Sequence, residues 1–222
     1  MLPLSLKRSV LDLAKECSHR LSPSPPEKVL FDHLPKCGGT TVMRFLFRHY
    51  PNRLIFHSCS LTPLESVEKL SRQSENQRHS QSLITGHLVR HLIKFIDPSC
   101  LRITLLRDPI ERLTSHYFYA RSSPHHYLHE KIHSHQMTLK DYVTSDLSEE
   151  LRNWYTTYFS DLSIDQAEAN PDRSVAAALD TLTTSYDIVG TLESFGVFIE
   201  SLRKRARLWH SYPGSIHNPT PN

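Results

Sequence analysis

With 222 residues and 38% hydrophobic content, the chain is long enough to bury one substantial core. Lys plus Arg number 26 against 23 Asp plus Glu, a balance that calls for no nucleic-acid partner and leaves room for a local anion site. No stretch approaches a membrane span or a signal peptide, and Cys17, Cys37, Cys59 and Cys100 stand apart without CxxC spacing, so a cytoplasmic protein with reduced thiols and no membrane contact is expected.

Along the chain, apolar residues at Leu4, Leu6, Val10, Leu11, Leu13 and Ala14 predict a short amphipathic helix. "SPSPP" at 22–26 breaks it, which sets residues 1–27 apart as helix and linker and leaves 28–222 as a single domain. "KVLFDHL" reads as a buried strand, and "TTVMRFLFRHY" as a helix that stops before Pro51. "RLIFHS" reads as a strand, Thr62 to Gln73 as a polar helix, "SENQRHSQ" as a loop and "SLITGHL" as a strand ending at Gly86-His87. "CLRITLLRDP" is the clearest strand, and Pro109 suits the first turn of the helix after it. Helices are predicted over about 138–159 and 171–184. A short strand, "YDIVGT", and a long helix, "LESFGVFIESLRKRARLW", follow. The tail "SYPGSIHNPTPN" has no periodicity. Strands alternating with helices imply an α/β fold, a parallel sheet covered by helices on both faces.

The stretch "DHLPKCGGTTVMRFLF" at 32–47 puts a glycine turn between a strand and a helix. Backbone N–H groups and the helix dipole at such a turn favour an anion. Gly38 and Gly39 permit close approach, Thr40 and Thr41 add hydroxyl donors, and Lys36 adds a cation. An ordinary turn would look the same from this pattern alone. A Walker A loop places its lysine after the glycines and is absent, as is G-x-G-x-x-G. The spacing from Cys37 to Arg44 is too long for a cysteine phosphatase, although a thiol near a helix N-terminus can be activated.

"HLPKCGGTT" resembles the H-[IL]-P-K-[TC]-[AG]-G-T-[TS] loop of the carbohydrate sulfotransferases, the group that contains the heparan sulfate 2-O- and 6-O-sulfotransferases. "LLRDPIERLTSHYFY" is similar to that family's R-[DN]-P-x-x-R-x-x-S-x-[YF] motif, matched at Arg107, Asp108, Pro109, Arg112, Ser115 and Tyr117. "DIVGTLESFG", "SIHNPTPN" and "ELRNWYTTYFS" resemble softer family motifs, with Thr157 where the family usually has arginine. The resemblance runs from about Lys28 to Thr220 and implies the three-layer, P-loop NTPase-like sulfotransferase fold. Without an anchor or lumenal disulfides, the chain resembles a bacterial-type member.

The resemblance implies a donor, 3′-phosphoadenosine 5′-phosphosulfate (PAPS), and a hydroxyl-bearing acceptor, expected to be a carbohydrate, with no metal. Lys36, Cys37, Gly38, Gly39, Thr40 and Thr41 would hold the 5′-phosphosulfate, and Lys36 would also neutralise the leaving group. Arg107 and Ser115 would take the 3′-phosphate, and Asn218 and Thr220 would close over the nucleotide. Arg107 could instead pair with Asp108 or Glu111, and Arg112 reads equally as a bridge from helix to sheet. Sulfuryl transfer needs in-line geometry, stabilised charge and a base. His87, after a strand and a glycine, is similar to the family's catalytic histidine, and imidazole suits proton removal near neutral pH. His91 is a weaker competitor, and His33 reads as packing under the loop. His125, His129 and His133, four apart, would align on a helix as a solvated face or acceptor wall, with zinc the remoter reading. Two rivals remain at this stage: a nucleotide-binding protein of the same fold with weak turnover, and a small-molecule kinase.

Overall fold

The structure is a computed structural model and describes residues 4–21, 25–59, 61–212 and 214. The first part of the chain forms α1 (Leu4–Leu21), β1 (Val29–Asp32), α2 (Gly39–Leu46), β2 (Ile55–His57), α3 (Pro63–Ser71) and α4 (Glu75–His79). β3 (Leu83–Gly86) and β4 (Leu101–Leu106) follow, then α5 (Pro109–Ser122), α6 (His129–Ser134), α7 (Leu139–Val143), α8 (Trp154–Ser160), α9 (Ile164–Ala169) and α10 (Pro171–Ser185). The chain returns through β5 (Ile188–Thr191) and α11 (Phe195–Arg205). It divides into two compact units. Among the described residues, one holds those up to Leu106 and those from Asp187 to Gly214, and the other is Arg107–Tyr186.

The first unit holds a five-stranded sheet in the order β2-β3-β1-β4-β5, parallel throughout. Side chains alternate across β1. Val29 and Phe31 enter a core with Val42, Phe45 and Leu46 of α2 and Phe198, Ile199 and Leu202 of α11. Leu30 enters the opposite core with Ile84, Val67, Leu70 and Leu92. Both faces of β1 are therefore dry, which is why it reads as a mostly apolar run. Each such side chain contributes about 1.5–3 kcal/mol by leaving water. The result is the expected three-layer α/β arrangement. Asp32 pairs in register with Gly86 and with Thr104, so β1, β3 and β4 present their carboxyl ends side by side.

The helix at the N-terminus forms as expected, but two residues of its apolar stripe, Leu11 and Leu13, are each 64% exposed. Polar contacts fasten the helix. Asp12 accepts the Asn52 N–H at 3.0 Å, and Glu16 takes the Arg53 guanidinium, one contact at 2.8 Å. The segment expected to be a loop, "SENQRHSQ", contains α4, started by a capping box between Ser74 and Gln77.

In the second unit, Tyr117 and Ala120 of α5 pack with Leu128, Ile132, Tyr142 and Leu151. The single helix expected over 138–159 is broken in two. A capping box from Thr138 to Asp141 opens α7, Ser148 caps a short 3-10 turn at Glu149–Leu151, and Asn153 takes a left-handed φ of 44° before α8. Ser, Thr and Asp across 144–148 offer the backbone local partners that compete with helix. The histidine stripe is also shorter than expected, because His125 lies before α6. His129 and His133 lie one turn apart with ring centroids at 4.4 Å and planes tilted by 48°. Their ring nitrogens face main-chain carbonyls, at Ala120 O (3.1 Å) and Arg121 O (2.9 Å).

Candidate functional site

β1 ends at Asp32, and the chain then turns through Leu34–Gly38 into α2. Lys36 and Gly38 are both left-handed, at φ 66° and 78°, and flank Cys37. Backbones of this kind turn successive N–H groups into one concavity that takes an anion. A left-handed lysine is uncommon, and such strain concentrates at binding sites. α2 carries no acidic residue in its first turn and no side-chain cap. The Thr41 N–H closes back on Gly38 O at 3.0 Å, and the N–H groups that open a helix have no carbonyl one turn back inside it, which favours an anion there. Cys37 is buried, with Sγ turned to Pro35 O at 3.5 Å. Thr40 is partly exposed while Thr41 is buried.

His87 follows β3 between two left-handed residues, Gly86 at φ 123° and Leu88 at φ 61°. Glycine is required at 86: a Cβ there would lie 2.2 Å from Ser58 Oγ and 2.9 Å from Ser58 N. Ser58 itself is buried, donates its N–H to Thr85 O at 2.9 Å and donates its hydroxyl to His87 O at 2.9 Å. The histidine main chain is thus braced from β2. Its ring is fixed from β1. His87 Nδ1 lies 2.7 Å from His33 O. A carbonyl only accepts, so Nδ1 carries the proton and Nε2 of the neutral ring is the basic nitrogen.

The His33 ring lies beneath the loop, as expected. It stacks on His87 with centroids at 4.6 Å and on Phe31 at 5.8 Å, and it fills the space where a Cβ on Gly39 would go. Burial, with His87, His57 and Lys36 close by, holds the His33 imidazole well below the usual histidine range. At pH 7 it is a neutral plate. His57, at the end of β2, is also lowered, by burial and then by His87. Three adjacent strands, β2, β3 and β1, therefore deliver His57, His87 and His33 to one edge of the sheet. The sequence shows the repeat in "LIFHS", "ITGHL" and "FDHLP", each a strand end followed by histidine. His57 and Ser58 are the members of this constellation that motif reading passed over.

Lys36, Gly38–Thr41 and His87 thus share one region of the first unit. Arg107 and Ser115 belong to the second unit. Arg107 follows β4 directly; its N–H donates to Tyr155 Oη at 3.2 Å, and that hydroxyl donates back to Arg107 O at 3.0 Å. Its guanidinium meets the Glu111 carboxylate at 3.2 Å. Asp108 serves α5 instead, accepting the N–H groups of Ile110 and Glu111 at 3.0 Å each. Ser115 is buried on α5. Arg112 does not bridge to the sheet. It is 3% exposed, donates to Glu150 O at 2.5 Å and lies 4.5 Å from the Trp154 ring, all within the second unit. Asn218 and Thr220 lie outside the described residues. Among the described residues no group of three or more potential ligands forms a metal site, and no helix is long and apolar enough to cross a membrane.

The geometry defines an α/β protein with a glycine turn that opens a helix and a histidine tied to a main-chain carbonyl side by side at the carboxyl edge of its sheet. A family model described as the sulfotransferase family matches residues 19–212, and the chain belongs to that family. The five-stranded parallel sheet flanked by helices agrees with the sulfotransferase fold. No curated protein matches the chain.

Proposed function

We propose that this sulfotransferase moves a sulfuryl group from PAPS to a carbohydrate hydroxyl, with His87 as the base. One observation carries the reading. The Nδ1–H of His87 is tied to the carbonyl of His33, the residue between β1 and the anion loop. The basic nitrogen and the loop that would hold the donor are therefore built from the same few residues. A nucleophile deprotonated by His87 would meet an anion seated on that loop.

In this account Gly38, Gly39, Thr40 and Thr41 hold the 5′-phosphosulfate, and Lys36 offsets the charge that grows on the leaving oxygen. His87 Nε2 takes the hydroxyl proton, and the carbonyl of His33 keeps the resulting imidazolium in place. Ser58 holds the His87 backbone, so it positions the base without touching substrate. Arg107 and Ser115 are assigned the 3′-phosphate on the strength of their shared motif, and an acceptor of carbohydrate class rests on the same resemblance to the heparan sulfate group. Arg107 would exchange its Glu111 partner for phosphate, a charge-assisted contact of the same kind.

Calorimetry tests the donor directly. Adenosine 3′,5′-bisphosphate should bind with a dissociation constant at least roughly tenfold below that of ATP, since the second charged contact is worth about 1.5–3 kcal/mol. Tighter binding of ATP would identify a kinase-like nucleotide site and overturn the reading.

A further inference from the structure

A cavity of about 630 Å³ opens between α1 and the far end of α2, lined by Leu11, Ala14, Lys15, Phe47, Arg48 and Trp209 among others. α2 begins at the loop and is eight residues long, roughly 12 Å at 1.5 Å per residue. The cavity is therefore separate from the anion loop, at the opposite end of that helix.

Both walls are built. Asp12 and Glu16 are the acidic residues of α1, and both are engaged by Asn52 and Arg53. That fastening turns Leu11, Ala14 and Lys15 to the cavity. Lys15 is itself anchored, donating to Phe47 O at 3.2 Å and to Asn52 Oδ1 at 3.3 Å. On the other side, fully buried His49 has Nδ1 2.9 Å from Phe45 O and accepts the His210 N–H on Nε2 at 3.1 Å. The neutral Nδ1–H form makes both bonds at once. The pin holds Trp209 and His210 beside it, with the Trp209 ring 6.2 Å from His49.

The charged side chains of the lining are Lys15 and Arg48, with no Asp or Glu among them, and Lys15 is paired with Asp12 at 3.4 Å. The Arg48 guanidinium is exposed and has no hydrogen bond or ion pair among the described residues, while its main-chain N–H donates to Phe45 O at 3.2 Å. Two aromatic side chains, Phe47 and Trp209, and the exposed Leu11 supply apolar wall. We propose that this cavity is a binding site for a planar aromatic anion. The ring would pack against Trp209, Phe47 and Leu11, and its sulfonate, sulfate or phosphate would meet Arg48. The site stands apart from turnover at the loop and does not depend on the proposed reaction.

Naphthalene-1-sulfonate is a suitable probe. Titration calorimetry on the full chain should show one saturable site. Arg48→Glu should weaken it by roughly tenfold or more, the scale of one lost charge-assisted contact. Ala14→Trp, which fills the cavity from α1, should abolish binding, and Lys36→Ala, at the loop, should leave it unchanged. Circular dichroism on each variant checks that it is folded. Should Ala14→Trp fail to fold, Arg48→Glu and the cationic analogue naphthalen-1-ylmethylammonium decide alone. No saturable binding at millimolar probe, undiminished binding to Arg48→Glu, or equal binding of the cationic analogue would each overturn the proposal.

Discussion

Gly39→Ala adds one methyl group and tests whether the loop and the candidate base are mechanically joined. The added Cβ would lie 1.8 Å from His33 Cδ2, 2.3 Å from Nε2 and 2.7 Å from Cγ. Carbon contacts relax at about 3.5–4.0 Å, so the ring or the start of α2 must move by roughly 2 Å. The ring has little room, because it is stacked between Phe31 and His87. Overpacking of this kind costs about 1–3 kcal/mol. Alanine's better helix propensity returns at most about 1 kcal/mol, and less at a first-turn position. The net loss of about 1–2 kcal/mol corresponds to a fall in Tm of roughly 2–8 °C for a chain of this size. Calorimetric melts of Gly39→Ala, His33→Ala and the double variant separate the causes. With the ring gone, the methyl group should cost nothing or stabilise, giving a favourable coupling on the order of 1 kcal/mol or more. A Gly39→Ala protein as stable as wild type, with no coupling to His33, would refute the reasoning.

Lys36→Ala should lower turnover by roughly 10²–10³, the effect of removing one preorganised charge-stabilising donor, with Tm nearly unchanged; an unaltered rate of sulfate transfer excludes the assignment. Arg107→Ala should weaken adenosine 3′,5′-bisphosphate by about 1.5–3 kcal/mol and adenosine 5′-phosphate far less. Equal weakening in calorimetry would mean that the arginine reads no 3′-phosphate. His49 is pushed down to about 4 by burial, while an unfolded histidine titrates near ~6.5. The unfolded chain therefore binds the proton first as pH falls, and this contribution is complete above ~6.5 and lost on descending towards 4. At pH 5 the loss is about 2 kcal/mol. Denaturant melts at pH 7 and 5 should show it in the wild type and not in His49→Gln, and identical pH slopes in the two proteins would contradict it.

The central strands were legible because each is short, parallel and largely buried: "VLFD", "LITG" and "LRITLL" are mostly apolar runs closed by turn residues. Pro109 marked the start of α5, and the loop was legible as a strand, two glycines and a helix. Segments rich in Ser, Thr and Asp were not, because there the cap residue decides where a turn of helix starts. Thr138 and Ser148 divide what periodicity reads as one helix. The apolar spacing of α1 correctly signalled a helix, yet Leu11 and Ala14 line a cavity and Leu13 is exposed, with Asp12 and Glu16 fastening the helix. At the site, His87 and Lys36 stood out by motif. The carbonyl of His33 that fixes the His87 tautomer, and the Ser58 hydroxyl behind it, could not be read from sequence. Both depend on which strands lie side by side, and only the β2-β3-β1 order makes them neighbours.

The central claim is that His87 removes the acceptor proton while the loop holds the donor. Its most direct test is transfer of radiolabelled sulfate from PAPS to a panel of saccharide acceptors by the wild type and by His87→Ala, with bisphosphate affinity measured on both. The wild type should transfer label. His87→Ala should lose a factor of about 10²–10⁴ in rate while binding the bisphosphate within about twofold of wild type, because the base touches the acceptor and not the nucleotide. A folded His87→Ala protein that binds bisphosphate normally and transfers sulfate at the wild-type rate would contradict the account.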